Sequence, residues 1–249
     1  NYSFIFEKKK SMPQHREIEN KTYNERLFSP GIRGFFHNAR FTWLEQAFKK
    51  LGLSKGSVIE IGFNDGRSLK HIPFKPEKYT GYDANWEGGF DEAIENYSSY
   101  PQYSFIESND PSSFNPGDEI FDFSLAMETL EHLPIRFLDD YLKKLAAATR
   151  RFGFYSVPNE KGVVFFLKYF SKYFLKTQRH VYSAREVLFA SLGNLKKVHR
   201  LDTAHKGFDY NLLIKQLSMH FDIVEIKGIP FGFLPPSLNF TVGIIVKKK

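Results

Sequence analysis

The segment from Ser57 to Gly66, Ser-Val-Ile-Glu-Ile-Gly-Phe-Asn-Asp-Gly, constrains the fold more than any other stretch of the 249 residues. Its β-branched run over residues 58–61 reads as a buried strand, and the acid within it is followed at once by a glycine turn. A second strand ends in Thr-Gly-Tyr-Asp-Ala-Asn over residues 80–85, with Asp83 at its carboxyl end. An open α/β sheet holds a nucleoside with this pair of features: a tight turn beneath the ligand and a carboxylate on the ribose hydroxyls. Dinucleotide folds use Gly-x-Gly-x-x-Gly to bring a helix N-terminus up to a pyrophosphate. Here the pattern is Glu60-x-Gly62-x-Asn64-x-Gly66. A carboxylate inside the loop repels a pyrophosphate and suits a ligand carrying an ammonium or sulfonium charge.

The rest of the chain fits one α/β domain with a full core. Residues 1–34 are polar and charged and read as an N-terminal arm, leaving 35–249 as the domain. Over residues 35–51, Phe36, Phe41, Leu44, Ala47, Phe48 and Leu51 are mostly three or four apart, which predicts an amphipathic helix ended by Gly52. Strands are predicted over 58–61, 79–82, 103–106, 120–126 and 153–157, with helical patterns in the intervening segments, notably 135–150. Two closing strands, 220–226 and 240–246, are joined by a Gly/Pro-rich loop without a helix. The expected fold is α/β: a doubly wound seven-stranded sheet with an antiparallel C-terminal hairpin and a helical cap inserted at about residues 158–182. Ser183-Ala-Arg-Glu186 predicts a capping box that opens a further helix, with Gly193 ending it.

Four stretches in this order resemble the class I S-adenosylmethionine (SAM)-dependent methyltransferases. Residues 58–66 resemble their motif I, and Gly81-Tyr-Asp83 resembles the acid of their second strand. Phe-Asp-Phe-Ser-Leu-Ala-Met-Glu-Thr-Leu-Glu-His-Leu-Pro over residues 121–134 is similar to the fourth-strand segment of the small-molecule type. Gly-Phe-Tyr-Ser-Val-Pro-Asn over 153–159 is similar to the fifth strand, and the C-terminal hairpin is the family's closing feature. The resemblance implies SAM as cofactor, with Glu60 and Gly62 beneath its methionine part and Asp83 on both ribose hydroxyls. It implies Asn109 or Asp110 at the adenine amino group, and Met127 packed on the adenine or the methionyl chain. In the ubiquinone-type O-methyltransferases an Arg on the helix before motif I grips the SAM carboxylate, and Arg40 stands at a similar distance. The family usually has Gly at the position of Asn64, and Asn is the other residue that tolerates a left-handed turn.

Methyl transfer to a hydroxyl needs a base, for which histidine is best tuned near neutral pH. His132, His180, His199 and His205 are candidates, with His132 and His180 favoured as catalytic. Glu128-x-x-Glu131-His132 offers carboxylates and an imidazole to a hard divalent ion. The ubiquinone O-methyltransferases and the small-RNA 2′-O-methyltransferases use Glu-x-x-Glu-His this way, with Mg2+ activating the acceptor hydroxyl. Leu-Glu-His-Leu is also widespread in methyltransferases with no metal, where residues in the places of Glu131 and His132 cap the next helix and line the pocket.

The insertion carries Lys168, Lys172 and Lys176 four residues apart among aromatic and aliphatic side chains. Two readings stay open for residues 161–176. One is a helix in a membrane interface with its lysines at the headgroups; the other is a cap over the active site or against a second subunit in a homodimer. The slot holds a membrane-contacting lid in the ubiquinone O-methyltransferases. Without cysteine, the chain has no disulfide, thiolate metal site or cysteine nucleophile. The opening ten residues have too short an apolar run for a secretory signal, and no stretch reaches a membrane span, so a cytoplasmic protein, or one peripheral at the inner membrane face, is expected. The net charge of +7 arises from scattered basic runs, which makes nucleic acid the less expected partner. The expected activity is methyl transfer from SAM to a hydroxyl of a small-molecule, sugar-containing or lipid-linked metabolite. The alternatives are RNA 2′-O-methylation and a non-catalytic adaptor at a membrane surface.

Overall fold

The computed structural model describes Phe28 and residues 30–174, 182–201 and 205–249. The arm up to residue 27 and the cap residues 175–181, His180 among them, lie outside the described residues. The chain forms seven strands: β1 (Val58–Ile61), β2 (Tyr79–Asp83), β3 (Tyr103–Glu107), β4 (Phe121–Met127), β5 (Thr149–Pro158), β6 (Phe221–Ile229) and β7 (Thr241–Lys248). Their order in the sheet is β3-β2-β1-β4-β5-β7-β6. β1 to β5 run parallel, and β7 pairs antiparallel with both β5 and β6. This is the doubly wound sheet with a closing hairpin that the strand spacing predicts. The order reverses between β1 and β4, so the crevice at their carboxyl ends is a topological switch point, where open α/β sheets bind ligands.

Period-two alternation explains how the strands feed two cores. In β1, Ile59 and Ile61 join one core with α3 (Ile135–Ala147) and α6 (Tyr210–His220), while Val58 joins the other beneath α1 (Ile32–Lys50). Burying β4 on both faces explains its continuous apolar run. α1 begins three residues before the predicted 35–51 window and ends where expected, with Gly52 left-handed at φ 64° just beyond it. Phe48 anchors it. The ring is fully buried, stacks on Phe154 at 4.4 Å and meets Phe123 edge-on at 5.2 Å.

The structure corrects the expectation of helices between the strands at two places, after β1 and after β3. The segment between β1 and β2 holds only a 3-10 turn, Arg67–His71, and no α-helix. Pro73 and Pro76 account for this, since proline removes a donor and pushes its predecessor out of the helical region. β2 and β3 are joined by α2 (Phe90–Tyr97), and β3 leads to β4 through one turn, Pro111–Ser113.

The cap contains α4 (Gly162–Phe174), followed by α5 (Ala184–Ser191), which the Ser183–Glu186 capping box opens as predicted. Here the expected basic stripe is corrected at its first member: Lys168 points inward and pairs with the Glu160 carboxylate at 2.7 Å. The Lys172 side chain and Lys176 lie outside the described residues. Among the described residues no helix is long and apolar enough to cross a membrane.

Phe48→Ala removes a side chain that both sheet and helix close around, and should destabilise the fold by about 3–5 kcal/mol. Urea denaturation measures this; a loss below about 1 kcal/mol would mean that α1 is not part of the cooperative core.

Candidate active site

Three strand ends build the site. At the end of β2, Asp83 is gripped by its own neighbourhood: the Asn64 N–H donates to Oδ2 at 2.8 Å and the Asn85 N–H to Oδ1 at 2.7 Å. Both asparagines are left-handed (φ 49° and 52°), which turns their amides toward the carboxylate. Burial raises the Asp83 pKa, while the two amide hydrogen bonds pull it down. Each carboxylate oxygen has two lone pairs, so after these two bonds both oxygens still accept one more donor. Two acceptors held side by side fit the vicinal hydroxyls of a ribose.

Beneath the turn, Glu60 is buried and accepts from the Ser68 hydroxyl and, at 2.7 Å, from the Tyr79 hydroxyl. Burial pushes its pKa up to about 7 against the pull of both hydroxyls. At Gly62 a Cβ would lie 2.1 Å from the Thr129 hydroxyl oxygen, and at Gly66 2.7 Å from the Tyr97 ring, so protein neighbours exclude side chains at both positions. Gly89 is a third such contact, which the sequence pattern missed: its Cβ would lie 1.9 Å from the Asn64 Oδ1.

At the end of β4, Glu128 is left-handed at φ 56°. Its Oε2 pairs with Arg40 Nη1 at 2.6 Å, and its Oε1 accepts from the Thr241 hydroxyl at 2.8 Å. Arg40 and Glu128, assigned by the sequence to cofactor and metal respectively, thus meet each other. Burial opposes ionisation of Glu128, but the Arg40 charge, His37 and the Thr241 hydrogen bond outweigh it and hold the carboxyl at about 2. Beside them burial lowers His37 to about 4, despite the attraction of Glu128, so its imidazole is neutral at physiological pH. His37 was missed by the sequence reading because nothing in its spacing marks it.

One turn further on, Glu131 is fully buried and neither carboxylate oxygen has a hydrogen-bond partner among the described residues. Its Oε1 lies 3.6 Å from His205 Nε2 and 3.9 Å from His132 Nε2, and the two imidazole nitrogens are 3.1 Å apart. Burial, then the Glu128 charge, raise the Glu131 pKa well above the ordinary carboxylate value. Glu131, His132 and His205 are the group among the described residues whose donor atoms converge enough to hold a metal ion. One carboxylate and two imidazoles suit a divalent transition ion or zinc better than an all-oxygen magnesium site. His205 joins through a 73-residue separation no local motif encodes, while Glu128 turns to Arg40 instead.

The remaining predicted residues stay near their own segments. Asp110 accepts from the Ser112 N–H (2.9 Å) and hydroxyl (2.6 Å), capping the turn after β3, and Asn109 donates to Glu107 at 3.0 Å. Met127 is buried in the core beneath α1, where its sulfur accepts from the Ser156 hydroxyl at 3.6 Å. His199 is exposed and its N–H donates to Glu186. His180 lies outside the described residues. A cavity of about 380 Å3, lined by Lys70, Lys75, Tyr97, Tyr100 and Tyr103 among others, opens at the start of β3, at the other end of the strand from these groups.

Glu60 carries a pH prediction. Its folded pKa of about 7 exceeds the ordinary 4.5, so the native state binds a proton that the unfolded chain releases. The resulting stability is fully present below about pH 4.5 and is lost as pH rises through about 7. Glu60→Gln should flatten this dependence and, at about pH 8, stabilise the fold by up to about 3 kcal/mol relative to wild type. Urea melts of both proteins at about pH 5 and pH 8 test it, and parallel pH profiles would refute the buried-acid assignment.

The sequence matches no protein-family model and no curated protein. Solved structures do match. The PH0226 protein from Pyrococcus horikoshii OT3 superposes with a TM-score of 0.60 at 14% identity, covering 91% of this chain and 96% of that one. The SAH-bound magnesium protoporphyrin IX methyltransferase (ChlM) from Synechocystis PCC 6803 gives 0.56 at 13% identity, covering 90% and 92%. The methyltransferase domain of a bacterial Hen1 (CtHen1-CN) gives 0.54 at 14% identity, covering 85% and 99%. At such identities the likeness is one of fold: this chain shares the Rossmann-like architecture of SAM-dependent methyltransferases over most of its length.

Proposed function

We propose that this protein transfers a methyl group from SAM to a hydroxyl of a small-molecule, sugar-containing or lipid-linked acceptor. The observation that carries the reading is the Asp83 carboxylate, positioned by two left-handed asparagine turns at the end of β2, one strand from the β1–β4 switch point. The sharing of fold with an SAH-bound methyltransferase supports it. SAM, when bound, supplies the methyl group on a sulfonium, so the protein's part is to orient the acceptor and take its proton.

Asp83 holds the ribose. Arg40, held in place by Glu128 through Nη1, meets the amino-acid carboxylate with donors such as Nε that the pair leaves unused. Asn109 or Asp110 marks the adenine end. Without a bound cation, His132 and His205, with nitrogens 3.1 Å apart, supply the proton acceptor for the hydroxyl. A divalent cation, when bound by Glu131, His132 and His205, lowers the pKa of a hydroxyl it touches. The orphaned buried Glu131 carboxylate is what favours this addition. That donor set supports a hydroxyl acceptor, whose proton must be removed for attack on the methyl group.

Calorimetric titration with SAM tests the cofactor site. Asp83→Ala should weaken binding by about tenfold to a hundredfold, the loss of two charge-assisted hydrogen bonds. Equal binding by wild type and variant, or none by either, would overturn the reading. Titration with Mn2+, followed by electron paramagnetic resonance, should show a site lost in Glu131→Gln. An RNA oligonucleotide in the methyl-transfer assay separates the RNA alternative, whose binding would fall steeply with salt.

A further inference from the structure

Lys168 turns inward on α4, and what its partner touches gives that a purpose. Glu160 is only 8% exposed, and its Oε1 accepts from Lys168 Nζ at 2.7 Å. The same ammonium donates to the Asn159 carbonyl at 3.1 Å. On its other side, Glu160 Oε1 lies 3.9 Å from His205 Nδ1. His205 in turn presents Nε2 to His132 Nε2 at 3.1 Å and to Glu131 Oε1 at 3.6 Å. A line of groups thus runs from the cap helix into the candidate site: Lys168, Glu160, His205, then Glu131 and His132.

Both carriers of this line are braced. Glu160 follows directly on β5, between two pinned residues. The buried Asn159 side chain donates to the carbonyls of Ser237 (3.1 Å) and Asn239 (2.9 Å), and its Oδ1 accepts the Lys161 N–H at 3.2 Å. Lys161 is mostly buried and pairs with Asp209, the N-cap of α6. That pair ties the Glu160 turn to the segment carrying His205, where the Phe208 N–H donates to the His205 carbonyl at 3.0 Å. Arg200 donates to the carbonyls of Lys206 and Glu131, and the Lys206 ammonium pairs with Glu186 at 2.8 Å. The imidazole of His205 is therefore set between two buried acids by contacts at a distance from it.

A neutral imidazole carries one N–H, and the contact between the two Nε2 atoms needs a hydrogen on only one of them. Glu131 does not select which, because its Oε1 lies on the Nε2 side of both rings, at 3.6 Å and 3.9 Å. Glu160 faces His205 at Nδ1. An N–H directed at that carboxylate is attracted and a lone pair there is repelled, so the hydrogen settles on Nδ1. Oε1 has a lone pair for Lys168 and another for this N–H. The 3.9 Å separation is longer than a hydrogen bond, as catalytic hydrogen bonds often are before the ligand arrives.

We propose that Glu160, locked by Lys168, is a positioning residue that fixes His205 as its Nδ1–H tautomer and so makes His205 Nε2 the proton acceptor of the histidine pair. A cation bound with Glu131 takes the same Nε2 lone pair, with Glu160 as the carboxylate behind the ligand. The catalytic part of this inference rests on the methyl-transfer reading of the site, whereas the tautomer itself needs neither cofactor nor acceptor.

Long-range proton–nitrogen correlation spectra of the full chain with isotope-labelled histidine read the tautomer, at about pH 8.5 where an ordinary imidazole is neutral. The His205 signals are assigned by their loss in His205→Asn. Wild type should carry the His205 hydrogen on Nδ1. Glu160→Gln, whose carbonyl Lys168 still holds, should keep it there. Glu160→Leu should move it to Nε2 and weaken Mn2+ binding about tenfold to a hundredfold, while Glu160→Gln stays close to wild type. Circular dichroism verifies that the variants fold. A wild-type His205 with its hydrogen on Nε2 overturns the proposal, and this arm needs no variant of Glu160. So does a folded Glu160→Leu that keeps both the wild-type tautomer and the wild-type Mn2+ affinity. Absence of Asp83-dependent SAM binding would instead overturn the methyl-transfer reading and leave the tautomer standing.

Discussion

The ion pair between Arg40 and Glu128 is the contact on which the arrangement of the site depends. It joins the middle of α1 to the end of β4, and through Thr241 to the start of β7. Both side chains are largely withdrawn from water. Breaking a buried pair by removing one partner leaves an uncompensated charge, at a cost of about 3–5 kcal/mol. The pair also holds Glu128 in a left-handed conformation, which a non-glycine residue keeps only when its surroundings over-determine it. With α1 drawn down in this way, His37 and Phe36 are placed against the edge of the crevice, and the apolar start of α1 meets the β6–β7 loop.

Environment divides acids that look alike in sequence. Glu128 and Glu131 are three residues apart and both buried, yet Arg40 holds the first ionised while burial and the charge of Glu128 push the second toward its protonated form. Glu60 and Asp83 divide similarly. Glu60 is enclosed with two hydroxyl donors, and Asp83 is met by two backbone amides at a strand end. The two amides leave each Asp83 oxygen a further lone pair at the strand end, whereas Glu60 is closed inside the core.

Much of the fold was legible because strand burial writes itself into composition. Residues 58–61 and 121–127 are buried on both faces and therefore read as apolar runs, and the hairpin followed from the lack of helical pattern between the last two strands. The capping box at Ser183 was legible because it is local. No α-helix forms after β1, because Pro73 and Pro76 interrupt a segment whose apolar spacing is otherwise compatible with one. The lysine spacing in α4 was misleading for a different reason. A four-residue period places side chains on one face, and it does not say whether that face meets water or an acid such as Glu160.

By itself the sequence determined the strands of a doubly wound sheet, the glycine turn after the first strand and the acid at the end of the second, because each is written in local periodicity and backbone chemistry. Tertiary structure alone decided which distant groups meet. Arg40 reaches Glu128 across 88 residues, His205 reaches His132 across 73, and Asn159 braces a loop about 80 residues away. These contacts depend on how helices and loops settle on the sheet. That settling is governed by shape, burial and the pairing of charges, none of which has a period in the chain.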